Sequence, residues 1–366
     1  MTLVLFMLCS GFVHFTFASH RLRLFNYNGI VKNGWWDSLK ECNLINQSLV
    51  TLYDDEDAEY LKKFREDRLH LTSAWLGLSR RRKNITTWSD GVPVTHNVSS
   101  VTLTNGEQKC GAIQNNTLTS FNCSDRNAFM CHKDGNYHLI ENVRKNWCQA
   151  QQYCRRYFHD LVSIREQTQN QQVLVKGMNK TFWIGLMHDE WEWTDKSCST
   201  FRSWAKDPSQ NCTIQSSHFS TSMLMSGCDN QHNSLCSQGH VRIIVIRENL
   251  TWEQALDYCE ANHTGLLRIE DANDQRAVHQ RLNYTDGGGP FWIGLRQSRV
   301  FGFWIWSDRT VTYSNWKNGK QPEMPQSNNC GAIYTTDHTW GDVNCSHQLP
   351  FICEEEISFM KTKIVT

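Results

Sequence analysis

Along this chain the apolar residues switch between a helical period and a strand period, and the switch recurs three times. In TWEQALDYCEAN, Trp252, Ala255, Leu256 and Cys259 fall three or four residues apart and share one helical face. Thr251 and Gln254 stand at capping-box spacing just ahead of that face. The run EDANDQRAVHQRL behind it reads as a second helix, and DDEDAEYLKKF and REQTQNQQVLV hold the same place earlier in the chain. Short aromatic and β-branched runs follow each helical pair, broken by Gly, Asn and Asp, which suits strands and hairpins. The pattern predicts an α+β unit: two helices, then a mostly antiparallel sheet carrying a long irregular loop.

The unit is written three times. WWDSLKEC, WCQAQQYC and WEQALDYC each place Trp seven residues before Cys, at Trp35 and Cys42, Trp147 and Cys154, and Trp252 and Cys259. LVTL, LVSI and LLRI come next, then WLGL, WIGL and WIGL, then WSD, WTD and WSD. Each copy closes with a short-spaced cysteine pair and a last Cys in AFMC, NSLC or PFIC. A spacing of about 110 residues is too long for a solenoid repeat and right for a folded domain. Because Trp75, Trp183 and Trp292 recur at equivalent positions, as do Trp88, Trp193 and Trp306, they are expected in the core.

In this order the motifs resemble the C-type lectin-like domain, over nearly the whole chain after its first residues. The resemblance implies three tandem domains, at 19–134, 135–238 and 239–356, after a signal peptide at 1–18 and before a C-terminal tail at 357–366. It also implies binding rather than catalysis, and no H-E-x-x-H, G-x-S-x-G or comparable constellation argues for an enzyme.

Composition narrows the setting. The 366 residues carry no formal net charge, so no bulk attraction to nucleic acid or anionic membrane is expected. The basic run Arg80 to Lys83 reads as a solvated turn. An apolar N-terminus with Thr16 and Ala18 at cleavage offset reads as a secretory signal, and no later run is apolar and long enough to be a transmembrane segment. Removing Cys9 with that signal leaves 14 of the 15 Cys, an even number suited to an oxidising compartment. Eleven sequons, at Asn46, Asn84, Asn97, Asn115, Asn122, Asn179, Asn211, Asn249, Asn262, Asn283 and Asn344, predict a secreted, extracellular glycoprotein. Zinc or redox roles for the cysteines lack any C-x-x-C.

In the family the helix Cys bonds the terminal Cys and the inner pair closes the long loop. The resemblance therefore implies Cys42 with Cys131 and Cys110 with Cys123 in the first domain, and Cys259 with Cys353 and Cys330 with Cys345 in the third. Matched by position, the middle domain pairs Cys154 with Cys236 and Cys212 with Cys228, leaving Cys148 with Cys198 as an extra bridge.

The candidate site lies in NGKQPEMPQSNNC and TWGDVNC of the third domain. Sugar-binding relatives coordinate calcium there with five side chains that also grip sugar hydroxyls. The matching positions are Gln321, Glu323, Asn328, Gly341 and Asp342, with Pro322 where the family has a cis proline. Two carboxylates and two amides remain, Gly341 supplies nothing, and Asn328 replaces an acid, so any calcium is expected to be weak. Gln321, Glu323, Asn328 and Asp342 are the expected metal and ligand residues, although loop acids on a core tryptophan, Trp340, would look the same. The first two domains lack the motif, with Leu118 and Met223 at the Trp340 position.

The partner is accordingly a glycan or glycoprotein engaged with calcium, or a protein surface engaged without it. Tandem domains, on one chain or in a homo-oligomer, would raise weak contacts to useful avidity.

Overall fold

The computed structural model describes residues 20–68, 71–80, 86–94, 108–206, 209–217, 221–298, 302–322 and 328–360. The signal segment, Arg81 to Lys83, Asn84, Asn97 and Glu323 lie outside the described residues. Among the described residues no helix is long and apolar enough to cross a membrane.

Among the described residues six α-helices form three pairs: α1 (Trp35–Leu44) with α2 (Asp55–Glu66), α3 (Trp147–Tyr157) with α4 (Gln167–Gly177), and α5 (Trp252–Asn262) with α6 (Ala272–Asn283). Their starts are written in the sequence. Thr251 with Gln254 and Asn146 with Gln149 close reciprocal capping boxes, and Asp54 and Asp271 accept from the backbone N–H three residues on.

The tryptophan that opens each pair is buried, and its indole N–H donates into the next body of strand. Trp35 bonds the Leu76 carbonyl at 2.9 Å, Trp147 that of Ile184 at 2.7 Å and Trp252 that of Ile293 at 2.8 Å. In the other direction Trp75, Trp183 and Trp292 donate to the carbonyls of Asn33, Lys145 and Leu250. Six large side chains thus bury their rings without leaving an N–H unpaired, which is why these motifs tolerate no drift. The glycine between them has a packing cause: a Cβ at Gly77 would stand 2.7 Å from the Leu49 carbonyl oxygen.

The third unit is built from its own repeat. Its sheet runs Val241–Leu250, Leu349–Glu356, Phe291–Gln297, Asn329–Ile333 and Trp340–Asn344, with Trp304–Trp306 folded back on Phe291–Gln297 so that Leu295 pairs with Trp306.

The first two units are not built that way. One sheet orders Leu24–Asn33, His232–Gln238, Ser73–Arg80, Cys212–Ser216 and Met223–Ser226, joining the first half of repeat one to the second half of repeat two. The other orders Thr117–Asn122, Gln108–Gln114, Phe182–Asp189, Asn127–Lys133 and Asn136–Lys145 and makes the reciprocal exchange. Strand Trp191–Trp193 pairs with Ser73–Arg80, matching Trp193 to Leu78, and Thr86–Trp88 pairs with Phe182–Asp189, matching Trp88 to Leu186. These registers are the ones that the third unit forms within its own hairpin.

The expected pairings of Cys42 with Cys131 and of Cys154 with Cys236 are corrected accordingly. Cys42 bonds Cys236, and Cys131 bonds Cys154. Each helix cysteine still meets a terminal-strand cysteine, but from the other repeat. The remaining five bridges pair as expected: Cys110 with Cys123, Cys148 with Cys198, Cys212 with Cys228, Cys259 with Cys353 and Cys330 with Cys345.

Turn length supplies the physical reason. Closing the second repeat on itself, with Leu186 opposite Trp193, would leave only Asp189 and Glu190 to turn. A two-residue hairpin of the favoured type needs positive φ at both positions and so favours Asn-Gly; neither Asp189 nor Glu190 adopts positive φ. The strand therefore runs on into the neighbouring body, as short hinges favour. Asp189 instead accepts from Gln108 and Arg202, while Glu190 pairs with Arg80 at 2.6 Å and ties the two crossing segments together.

The third unit is locked onto this interlaced pair. Buried Arg242 pairs with Asp54, Asp57 and Glu355, and Arg21 bonds Asp274 and Glu354 at 2.8 Å each. Burial alone would raise the carboxyls of Asp57 and Glu355, but the arginines around Asp57, and Arg242 with His263 beside Glu355, outweigh it and hold both below the ordinary range. Of the expected tail, residues 357–360 return to the second unit, where the Ser358 carbonyl accepts from Cys198 N and Met360 is buried.

Candidate functional site

The described part of the third domain's long loop rests on tryptophan. Trp340 is fully buried, its indole donating to Gln275 at 3.0 Å, and its ring lies 5.5 Å from that of Trp306 and 5.8 Å from that of Trp316. Trp340 is therefore core, and the face it supports belongs to the residues around it.

Asn328 precedes the strand Asn329–Ile333, which pairs with Trp340–Asn344, the strand that carries Asp342. Asn329 pairs with Asn344 and Gly331 with Asp342, so the Asp342 side chain reaches diagonally to accept from Asn329 Nδ2 at 2.8 Å. The Asn328 carbonyl accepts from Cys345 N, which fixes the loop to the disulfide. Gln321, Asn328 and Asp342 are all exposed.

Tyr334 changes the chemistry of this edge. A Cβ at Gly341 would stand 2.6 Å from the Tyr334 ring, so no side chain enters there unless the ring moves. The Lys317 ammonium sits 5.3 Å from the same ring. Next to it Asp337 accepts from the Thr339 hydroxyl at 2.7 Å and from its N–H at 3.1 Å, and these bonds hold its carboxyl below the ordinary range. His338 stacks on His279 at 4.1 Å, and burial, followed by the His279 charge, lowers its pKa.

Calcium takes six to eight oxygens, with carboxylates supplying most of the attraction. The described residues supply one carboxylate, Asp342, already bonded to Asn329, and the amides of Gln321 and Asn328. No group of three or more His, Cys, Asp or Glu side chains gathers among the described residues. The described part of the donor set thus offers fewer side-chain oxygens than the six to eight that calcium takes. Among the described residues the cis peptide bond precedes Pro290, not Pro322, which departs from the expected cis proline.

A family described as Lectin C-type domain matches residues 31–133, 143–238 and 248–355, which correspond to the three repeats. The chain belongs to the C-type lectin domain family. The secretory phospholipase A2 receptor of Homo sapiens is 25% identical over 255 residues, covering 58% of this chain and 17% of that protein. C-type mannose receptor 2 of Homo sapiens is 33% identical over 112 residues, covering 30% of this chain and 7% of that protein. Among solved structures, the mouse scavenger receptor C-type lectin carbohydrate-recognition domain is 28% identical with TM-score 0.28, covering 32% of this chain and 91% of that one. The chain spans less than a fifth of the length of the secretory phospholipase A2 receptor.

Within this C-type lectin chain, Asp342 bonds Asn329 and not Asn328, and Glu323 lies outside the described residues. Sequence reasoning missed Tyr334, which lies outside the quoted motifs and reaches Gly341 only across a turn. It also missed Trp36. The other repeats carry Cys148 and Glu253 at that helical position, so the fold does not require a ring there.

Proposed function

We propose that this C-type lectin chain is an extracellular recognition protein that binds a glycan or glycoprotein through the rim of its third domain, without depending on calcium. The observation that carries the reading is the Tyr334 ring lying across Gly341. It takes the space of the lost metal ligand and offers an aromatic ring on the same hairpin that carries the exposed Asp342. A sugar ring uses both kinds of surface, an apolar face and a polar edge.

A second reading retains calcium: Gln321, Glu323, Asn328 and Asp342 hold it weakly and the sugar completes its shell. The exposure of Gln321, Asn328 and Asp342 favours it. A glycan array run on the full chain in calcium, in chelator and with Tyr334→Ala separates the two. Binding that survives chelation and is lost in Tyr334→Ala supports the first reading, and binding abolished by chelation overturns it in favour of the second. No glycan bound under any condition removes both and leaves a protein ligand.

A further inference from the structure

Exposed tryptophan is uncommon in this molecule, whose largest rings are mostly buried. Trp36 is 63% exposed, and its ring packs edge-on against buried Trp35 at 4.7 Å, which holds the indole in place. It borders a groove of about 600 Å³ whose other side is formed by Gln210, Asn211, Gly227 and Asp229, beside the Cys212–Cys228 bridge and Arg80. Trp36 comes from the first repeat and the facing wall from the second, so the groove exists because the two repeats exchange halves. A fixed indole face opposite amide and carboxylate groups is the chemistry that accommodates a pyranose ring.

One wall of that groove carries a glycosylation sequon. Asn211 begins the sequon Asn211-Cys212-Thr213 and is exposed, as are all nine sequon asparagines among the described residues. We propose that the N-glycan carried by Asn211 lies in this groove, with a core sugar ring stacked on Trp36 and its hydroxyls bonded along Gln210 and Asp229. The donor is an oligosaccharide on a lipid diphosphate. The Asn211 amide nitrogen forms the bond to the sugar C1, the C1–O bond to the diphosphate breaks, the diphosphate leaves with the electron pair, and the amide releases one proton. A tether this short holds the sugar at an effective concentration of about millimolar or more, enough to populate a stack too weak to capture a free sugar. The glycan then shields the one exposed ring beside the loop disulfide, and the groove is closed to outside ligands.

The test uses the full chain secreted from a glycosylating cell. Glycopeptide mass spectrometry reads occupancy at Asn211, and hydroxyl-radical labelling read residue by residue reports the exposure of Trp36. The expected result is an occupied Asn211 and several-fold heavier labelling of Trp36 in Asn211→Gln than in the glycosylated chain, with Asn283→Gln leaving Trp36 unchanged. Trp35, buried beneath it, reports whether the variant is folded. If Asn211→Gln exposes Trp35, enzymatic removal of the glycans from the folded protein makes the same comparison. An empty Asn211 overturns the proposal, as does equal labelling of Trp36 with and without the glycan. Protection of Trp36 in the glycosylated chain by added chitobiose also overturns it, because the groove would then be open to sugars from outside.

Discussion

If the first two domains exchange halves, their disulfides must record it. Cys42–Cys236 closes a separation of 194 residues and Cys131–Cys154 one of 23. In the chain-entropy account these stabilise by roughly 5 and 3 kcal/mol. The alternative, Cys42 with Cys131 across 89 residues and Cys154 with Cys236 across 82, comes to roughly 4.5 kcal/mol for each bridge. The two totals agree to within roughly 1 kcal/mol, so loop entropy does not choose between the pairings. The unfavourable Asp189-Glu190 turn chooses. The assay is peptide mapping of the unreduced chain, expected to recover Cys42 joined to Cys236 and Cys131 joined to Cys154. Replacing Cys42 and Cys236 together by Ser should leave no free thiol on titration in denaturant and lower the urea midpoint more than replacing Cys131 and Cys154. A peptide joining Cys42 to Cys131 refutes the exchange and the turn argument with it.

Two further predictions concern the interior and the rim. His188, His232 and His338 are all lowered by burial, His232 further by Lys32 and His338 by His279. The unfolded imidazoles therefore take up protons at about pH 6.5, before the folded ones do. Stability is full above that value and declines as pH falls through the folded values, so the melting temperature should drop between about pH 7.5 and 5.5. His232→Gln, which keeps polar atoms near Ser73 and Ser226, should blunt the drop, and an unchanged melting temperature across that range would contradict the assignment. At the rim, Gly341→Ala should destabilise by about 1–3 kcal/mol through overpacking against Tyr334. The same change in a Tyr334→Ala background should cost less, and additive effects in that double-mutant cycle would show that the ring is not what excludes a side chain.

Much of this was legible in the residues. The helix tryptophans, the capping pairs and the W-x-G-L strands each state a local demand that their burial and indole bonds bear out three times over. The exchange was hidden because it changes no local environment: Trp88 beside Leu186 and Trp193 beside Leu78 occupy the surroundings that Trp306 finds beside Leu295. A pattern read by positions within one repeat is the same whether the partner strand comes from that repeat or the next. The one available signal was the short passage from His188 to Trp191, where two residues would have to turn a chain that has more room to turn in the third repeat. At the site, the loss of a ligand at Gly341 was legible, but its cause was not, because Tyr334 reaches Gly341 only once the hairpin has formed. Trp36 could have been found by asking which aromatic residues fail to recur.

The interlacing also sets a timetable for the growing chain. The first body needs the strand His232–Gln238 to fill its sheet, so it stays unfinished until nearly two-thirds of the polypeptide has been made. At about 5–20 residues per second, the thiol of Cys42 waits roughly 10–40 s for Cys236 to emerge, while Cys131 is available sooner. For that interval the nascent protein depends on redox partners in its compartment to keep an early, mistaken bridge reversible.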